Sequence, residues 1–187
     1  MFSEGDFPKG LYIIKKGIAK LKVIDNTGRE LIMYFLRKND IYGYRSLIAE
    51  KSTIINITAI EDCEVDIVNK DVFLHYLHNS IDLNNALLKH VVREIKVLIH
   101  KSTYFSLKPT NERIALALLI LQQKLFFQKK DNTINLPKAD IANFAGTIPE
   151  TLSRQLKVLS DMNAISVKGR RISIINLQLL FEISNID

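Results

Sequence analysis

The 187 residues carry 47% apolar and 25% charged side chains, the balance of a soluble globular protein of one large domain or two small ones joined by a helix. No apolar run approaches the roughly 18 residues that a transmembrane helix needs, so no membrane partner is expected. The first ten residues are acidic and contain Gly and Pro rather than a basic then apolar stretch, so no signal peptide is expected. A single cysteine, Cys63, excludes an internal disulfide framework and any CxxC metal or redox motif, and points to a cytoplasmic chain.

The net charge of +6 is unevenly placed. Residues 1–80 hold 11 Lys and Arg against 11 acidic residues, whereas residues 101–187 hold 12 against 7. A basic C-terminal half suits phosphate binding, although a solvated basic face is the commoner reason for such an excess.

In chain order, residues 1–73 read as short strands broken by turns. Leu11 to Ile14, Ala19 to Ile24, Glu30 to Leu36, Ile54 to Ile60 and Glu64 to Val68 are rich in Ile, Val and Tyr. Lys16-Gly17, Asp25-Asn26-Thr27-Gly28 and Lys38-Asn39-Asp40 are turn clusters between them. Many short strands at this spacing predict a β-roll or jelly roll.

From Leu87 to Ile99 the period changes. Leu87, Leu88, Val91, Val92, Ile95, Leu98 and Ile99 fall in an arc of about 140° on a helix, with Lys89, Arg93 and Lys96 opposite. The stripe is wider than a two-helix seam needs, so it can serve the β-domain and a partner helix together. A homodimer seam is expected over a helix lying only on its own domain. Pro109 predicts a break, and Asn111 to Phe127 a second helix, apolar nearly all round and therefore buried. Asp131-Asn132-Thr133 reads as a turn.

Leu136 to Asn163 has the grammar of a helix-turn-helix. Lys138 to Phe144 forms a short helix, Gly146 the tight turn, and Thr147 is expected to N-cap a second helix with Pro149 and Glu150 in its first turn. That helix turns Leu152, Leu156 and Leu159 inward and shows Glu150, Ser153, Arg154 and Lys157 outward. Arg can donate two hydrogen bonds to guanine O6 and N7, and a carboxylate can accept from cytosine N4. Glu150 and Arg154, four apart, are expected to orient each other while reading adjacent base pairs. Taken alone, the pair reads better as an ordinary surface salt bridge. The following Ile165-Ser166-Val167, Lys168-Gly169-Arg170-Arg171 and Ile172-Ser173-Ile174 read as strand, basic turn and strand: a wing whose tip rests on the phosphate backbone. The combination predicts double-stranded DNA as partner.

With these motifs in place the chain resembles the cyclic AMP receptor protein / fumarate-nitrate reduction regulator (CRP/FNR) family over nearly its whole length. Glu4-Gly5-Asp6-x-Pro8-x-Gly10-Leu11-Tyr12-Ile13-Ile14-x-x-Gly17 resembles the family's β-roll signature, continued by Gly28-Arg29-Glu30, by Asn39-Asp40-Ile41-Tyr42-Gly43 and by Glu61-Asp62-Cys63-Glu64-Val65. Ile148-Pro149-Glu150-Thr151-Leu152-Ser153-Arg154 resembles its recognition helix and Lys168-Gly169-Arg170-Arg171-Ile172 its wing. The resemblance implies an α+β fold: an N-terminal β-roll of the jelly-roll, cyclic-nucleotide-binding-like kind (1–80), a long dimerisation helix (81–106) and a C-terminal winged helix-turn-helix (107–187). Family members carry a helix and a first strand or two ahead of this point, so the chain reads as N-terminally short.

It also implies a homodimeric transcription regulator on an inverted-repeat operator, with RNA polymerase as a further partner. The DNA contacts would be Thr147, Pro149, Glu150, Ser153, Arg154, Lys157, Lys168, Arg170 and Arg171, and the dimer helix would present Leu88, Val92, Ile95 and Ile99. The effector pocket (Gly43, Tyr44, Arg45, Ser46, Thr53, Ile54) departs from the nucleotide-binding pattern. Gly43 is kept, Tyr44 replaces the Glu that holds the ribose, and the Arg-Ser pair that holds the phosphate falls on Thr53-Ile54. A buried phosphate without its guanidinium is poorly compensated, so cyclic AMP is not expected; Arg45 is the one nearby substitute.

No cofactor or metal is expected. An iron–sulfur cluster needs four thiolates; Cys63 is read as a small buried hydrophobe in a strand. His75, His78, His90 and His100 are read as ordinary residues rather than haem ligands. One rival reading, a cupin-type enzyme on the same scaffold, lacks histidines on its strands, the first being His75. The other is an effector-binding regulatory module, for another small ligand or as a haem gas sensor, acting through protein partners; it leaves the basic wing unexplained.

Overall fold

The computed structural model describes residues 2–126 and 133–186. The chain divides into two compact units, Met1–His100 and Lys101–Asp187. Phe127 at the end of the expected second helix, and Asp131-Asn132 of the expected turn, lie outside the described residues.

The first unit begins with β1 (Gly10–Lys16), β2 (Ala19–Ile24), β3 (Glu30–Leu36) and the short β4 (Ile41–Tyr42), followed by helix α1 (Tyr44–Ala49), β5 (Asn56–Ala59) and β6 (Glu64–Asn69). The strands form two antiparallel three-stranded sheets, ordered β4-β1-β6 and β3-β2-β5. Ile14, Ala19, Leu21, Leu36, Tyr42, Ile55 and Ile57 make one core cluster. The β2–β3 turn is closed by the Asp25 carboxylate, which accepts from the backbone N–H of Thr27 (2.8 Å) and of Arg29 (3.0 Å), an Asx-type turn that Gly28 completes at φ +82°. The expected strand from Ile54 to Ile60 is shorter at both ends. Cys63 lies just before β6, half-buried, rather than in a strand as expected.

Helices α2 (Lys70–Asn79) and α3 (Ile81–Leu107) follow. The Asn69 side chain caps α2 by accepting from the Asp71 N–H, and the Ser80 hydroxyl accepts from the Leu83 N–H to start α3. Tyr44, Leu47, Phe73, Leu77 and Leu87 form a second apolar cluster that fastens α1, α2 and α3 together. Leu87 is buried and Val91 and Leu98 half-buried, while Leu88, Val92, Ile95 and Ile99 stay 50–62% exposed. The wide apolar stripe thus divides lengthwise: one edge packs on the roll and an arc of about 60° faces outward.

In the second unit, α3 stops at Leu107 because Pro109 disfavours helix in the residue before it. Helix α4 (Thr110–Leu121) then buries Ile114, Ala115, Leu116, Ala117, Leu118 and Leu121 and ends in a π-helical turn, Gln122–Phe126. It packs against α5 (Lys138–Ala145) and α7 (Leu177–Ser184). Between them come α6 (Pro149–Asp161) and the hairpin β8 (Ile165–Lys168) and β9 (Arg171–Ile174). Strand β7 (Thr133–Asn135), which the sequence pattern did not reveal, pairs with β9 to complete a sheet ordered β7-β9-β8.

Candidate nucleic-acid interface and effector pocket

Helices α5 and α6 are joined by Gly146, Thr147 and Ile148. Gly146 ends α5 in the left-handed region at φ +63°, and a Cβ there would stand 3.2–3.5 Å from the Phe105 ring, so glycine answers both a backbone and a packing demand. The expected N-cap shifts by one residue. Ile148, not Thr147, occupies the cap position of α6, with extended φ −100° and ψ 155° and no side-chain cap hydrogen bond. The residue before a proline is pushed out of the helical region, so Pro149 fixes the start of α6 and takes N1, where its missing N–H leaves nothing unsatisfied. Thr147 is half-buried, and its backbone N–H donates to the Ala142 carbonyl.

Leu152, Leu156 and Leu159 are buried as the spacing predicts, at 0%, 2% and 4% exposure. Pro149, Glu150, Ser153, Arg154 and Lys157 face solvent. Among the described residues no hydrogen bond or ion pair links Glu150 to Arg154, so the expected mutual orientation is not found. At an exposed i,i+4 site the gain of about 0.3–0.5 kcal/mol barely offsets the rotamer entropy of two long side chains. Both side chains are exposed.

The hairpin β8–β9 turns through two residues, Gly169 and Arg170, between the facing pair Lys168 and Arg171. Gly169 takes φ +61°. Lys168, Arg170 and Arg171 are all exposed at the tip, while Ile165, Ile172 and Ile174 anchor the hairpin in the core. A rigid base thus carries a cationic tip, suited to a polyanion.

Of the expected effector pocket residues, Gly43, Tyr44, Arg45 and Ser46 lie at the start of α1, and Thr53 and Ile54 lie just before β5. Gly43, at φ +98°, is the cap position of α1, and a Cβ there would lie 2.6 Å from the Gly10 carbonyl oxygen. Tyr44 is 2% exposed and donates its hydroxyl to the Glu94 carboxylate on α3. Arg45, the one nearby candidate to replace a phosphate-binding arginine, points its Nη2 at Glu94 Oε2, 2.7 Å away. A charge-assisted bond to an internal carboxylate is available at every moment, which a transient ligand is not. Ser46 lies within α1. The Thr53 hydroxyl is 2.5 Å from that of Tyr42, both buried, and Ile54 is 72% exposed. Burial, reinforced by its bond to Glu94, pushes the Tyr44 hydroxyl up to about 12. Glu94 is the residue that sequence reasoning missed; an acidic side chain next to the apolar edge of α3 was the signal.

Among the described residues no group of three or more His, Cys, Asp and Glu side chains could hold a metal ion. His90 Nε2 instead lies 3.4 Å from Glu94 Oε1. No helix among the described residues is long and apolar enough to cross a membrane.

Comparison with known proteins agrees with this division. The cyclic nucleotide-binding domain family matches residues 1–80, and the Crp-like helix-turn-helix domain family matches residues 112–183. The chain is 27% identical over 175 residues to the cAMP-activated global transcriptional regulator CRP of Salmonella typhimurium, covering 92% of this chain and 83% of that one. It is 26% identical over 187 residues to the Anaerobic regulatory protein of Aggregatibacter actinomycetemcomitans, covering 98% and 72%. In fold it is similar to FixK2 from Bradyrhizobium japonicum, with a TM-score of 0.89 at 21% identity over 100% of this chain and 93% of that one.

Proposed function

The chain belongs to the CRP/FNR family of DNA-binding transcription regulators, and on that premise we propose that it acts as a homodimer on an inverted-repeat operator without responding to cyclic AMP. The observation that carries this reading is the helix α6 surface: Glu150, Ser153 and Arg154 exposed together on the face opposite Leu152, Leu156 and Leu159, directly ahead of a cationic wing. Arg154 reads a guanine through O6 and N7, and Glu150 accepts from a cytosine N4. Lys157 and Thr147 hold the flanking phosphates, and Lys168, Arg170 and Arg171 fix the register of the wing on the backbone. Pro149, which offers no donor, presents only an apolar surface to the groove.

The Glu150-x-x-Ser153-Arg154 pattern resembles that of the FNR branch, which reads a half-site of the TTGA kind. The outward arc of Leu88, Val92, Ile95 and Ile99 supplies the twofold seam, and a twofold protein calls for half-sites about one helical turn apart. In this reading transcription is controlled through contact of the bound dimer with RNA polymerase, and the protein has no catalytic role.

The test is selection from randomised inverted-repeat duplexes, followed by gel shift. A selected palindrome with TTGA-like half-sites, bound by a dimer in sedimentation, is the expected result. Substituting Ile95→Glu should turn the dimer into a folded monomer and weaken operator binding by about 100-fold, since two like charges would meet in the seam. A wild-type monomer at micromolar concentration with full affinity for a palindrome would remove the dimer reading, and failure to select any sequence would remove the recognition-helix assignment.

A further inference from the structure

The long helix α3 is attached to the β-roll in two chemically different ways. The first is apolar: Leu87 sits in the cluster of Tyr44, Leu47, Phe73 and Leu77. The second is polar and converges on one carboxylate. Glu94 Oε2 accepts from Arg45 Nη2 at 2.7 Å and from the Tyr44 hydroxyl, while Glu94 Oε1 faces His90 Nε2 at 3.4 Å. The Arg45 guanidinium is further confined between two aromatic rings, 5.9 Å from the centre of Tyr34 and 5.8 Å from that of Tyr44. The Glu94 and Arg45 side chains are only 22% and 40% exposed. Strand β3, helix α1 and helix α3 each contribute to this cluster.

These two attachments do different work. An apolar contact resists separation but tolerates sliding and small rotation, because dispersion and area burial have no direction. A charge-assisted hydrogen bond is directional and fails within a few tenths of an ångström. Glu94 lies about 100° around α3 from Ile95, one residue step. A rotation of that size would carry Leu88, Val92, Ile95 and Ile99 off their outward arc. A fixed Glu94 therefore fixes where the seam points.

The cluster also occupies Arg45, the cation of α1. An anionic effector approaching that guanidinium would have to displace an internal carboxylate already in place.

We propose that Glu94, held by Arg45 and Tyr44, is a built-in latch that sets the rotational phase of α3 with no effector bound, so that the dimer seam is presented constitutively. The inference rests on the homodimer reading above and adds to it the positioning residues that fix the seam.

The test uses the full chain and a double-mutant cycle on the dimer dissociation constant, measured by sedimentation. Glu94→Gln keeps the shape and removes the charge; Arg45→Met keeps the apolar stem. Each single substitution should weaken the dimer about tenfold, and the double substitution should be no worse than either single one. Operator affinity should fall in parallel, while circular dichroism still shows a cooperatively melting fold. Unchanged dimerisation in the singles overturns the latch, as do losses that multiply in the double. If Arg45→Met does not fold, Arg45→Lys and Glu94→Asp retain both charges while changing reach. A weaker dimer in each supports the proposal, and an unchanged dimer in both overturns it. A wild-type chain that sediments as a monomer defeats the homodimer reading itself, whereas a wild-type dimer indifferent to these substitutions defeats only the latch.

Discussion

The Lys101 Nζ stands 4.3 Å from the centre of the Phe144 ring and 5.1 Å from that of Phe105, which places an ammonium against the helix-turn-helix core. Burial pushes its pKa down to about 7 from an ordinary 10.5. Between those values the unfolded chain holds a proton that the folded chain has released, so stability rises with pH across the window. Lys101→Met should therefore stabilise the protein most below pH 7, with the advantage fading toward pH 10. Thermal melts of both proteins from pH 6 to 10 check this; a difference independent of pH would show that the charge of Lys101 is not what matters.

Two glycines offer a graded comparison. Gly43→Ala puts a Cβ 2.6 Å from a backbone oxygen at φ +98°, where the strand that carries Gly10 cannot yield. Gly146→Ala meets only the edge of the Phe105 ring at 3.2–3.5 Å, at φ +63°. Urea denaturation should show a loss of about 1–2 kcal/mol for Gly146→Ala and about 3 kcal/mol or more for Gly43→Ala. The reverse order would mean that the α1 junction is less tightly built than its geometry indicates.

Arg154 and Arg170 each carry one positive charge, yet their loss should read differently. Arg154→Ala should weaken the cognate operator by about 1–3 kcal/mol and relax preference at one G·C pair. Arg170→Ala should weaken all sequences alike and lower the salt slope by about one unit. Binding titrations on cognate and scrambled duplexes at three salt concentrations separate the two. A uniform loss from both would refute the assignment of α6 to the major groove.

Cyclic AMP at millimolar concentration should change neither melting temperature nor operator affinity. Thr53 and Ile54 offer no guanidinium, Tyr44 no carboxylate, and Arg45 is engaged by Glu94. A ligand at a hundred times its dissociation constant would add about 2.7 kcal/mol, which thermal shift detects easily.

Most of the architecture was legible because hydrophobic periodicity reports local burial. β2 and β3 run from Ala19 to Ile24 and from Glu30 to Leu36 as read from alternation, and the inward leucines of α6 follow from helical spacing alone. What escaped depends on partners distant in sequence. β7 has only three residues and exists because β9 offers an edge. The roles of Tyr44 and Arg45 could not be read without Glu94, which lies 50 and 49 residues away. The N-cap of α6 departs from expectation for a local reason: Pro149 holds Ile148 in extended backbone, and this overrides the preference of Thr147 for a cap.

The facing pair Lys168 and Arg171 at the wing has a bearing on the protein when it is away from DNA. Like charges directly opposite each other across an antiparallel pair are destabilising, so the free hairpin carries a repulsion at its tip that only a counterion relieves. A phosphate lodged between the two side chains removes it. With the wing on a duplex as proposed, ionic strength acts in opposite senses on one structure: added salt quiets the unbound wing by screening the pair, and by the same screening should weaken its grip on the phosphates. Amide exchange at Val167 and Ile172 should slow with salt in the free protein, and slow further, with no salt added, once DNA is bound.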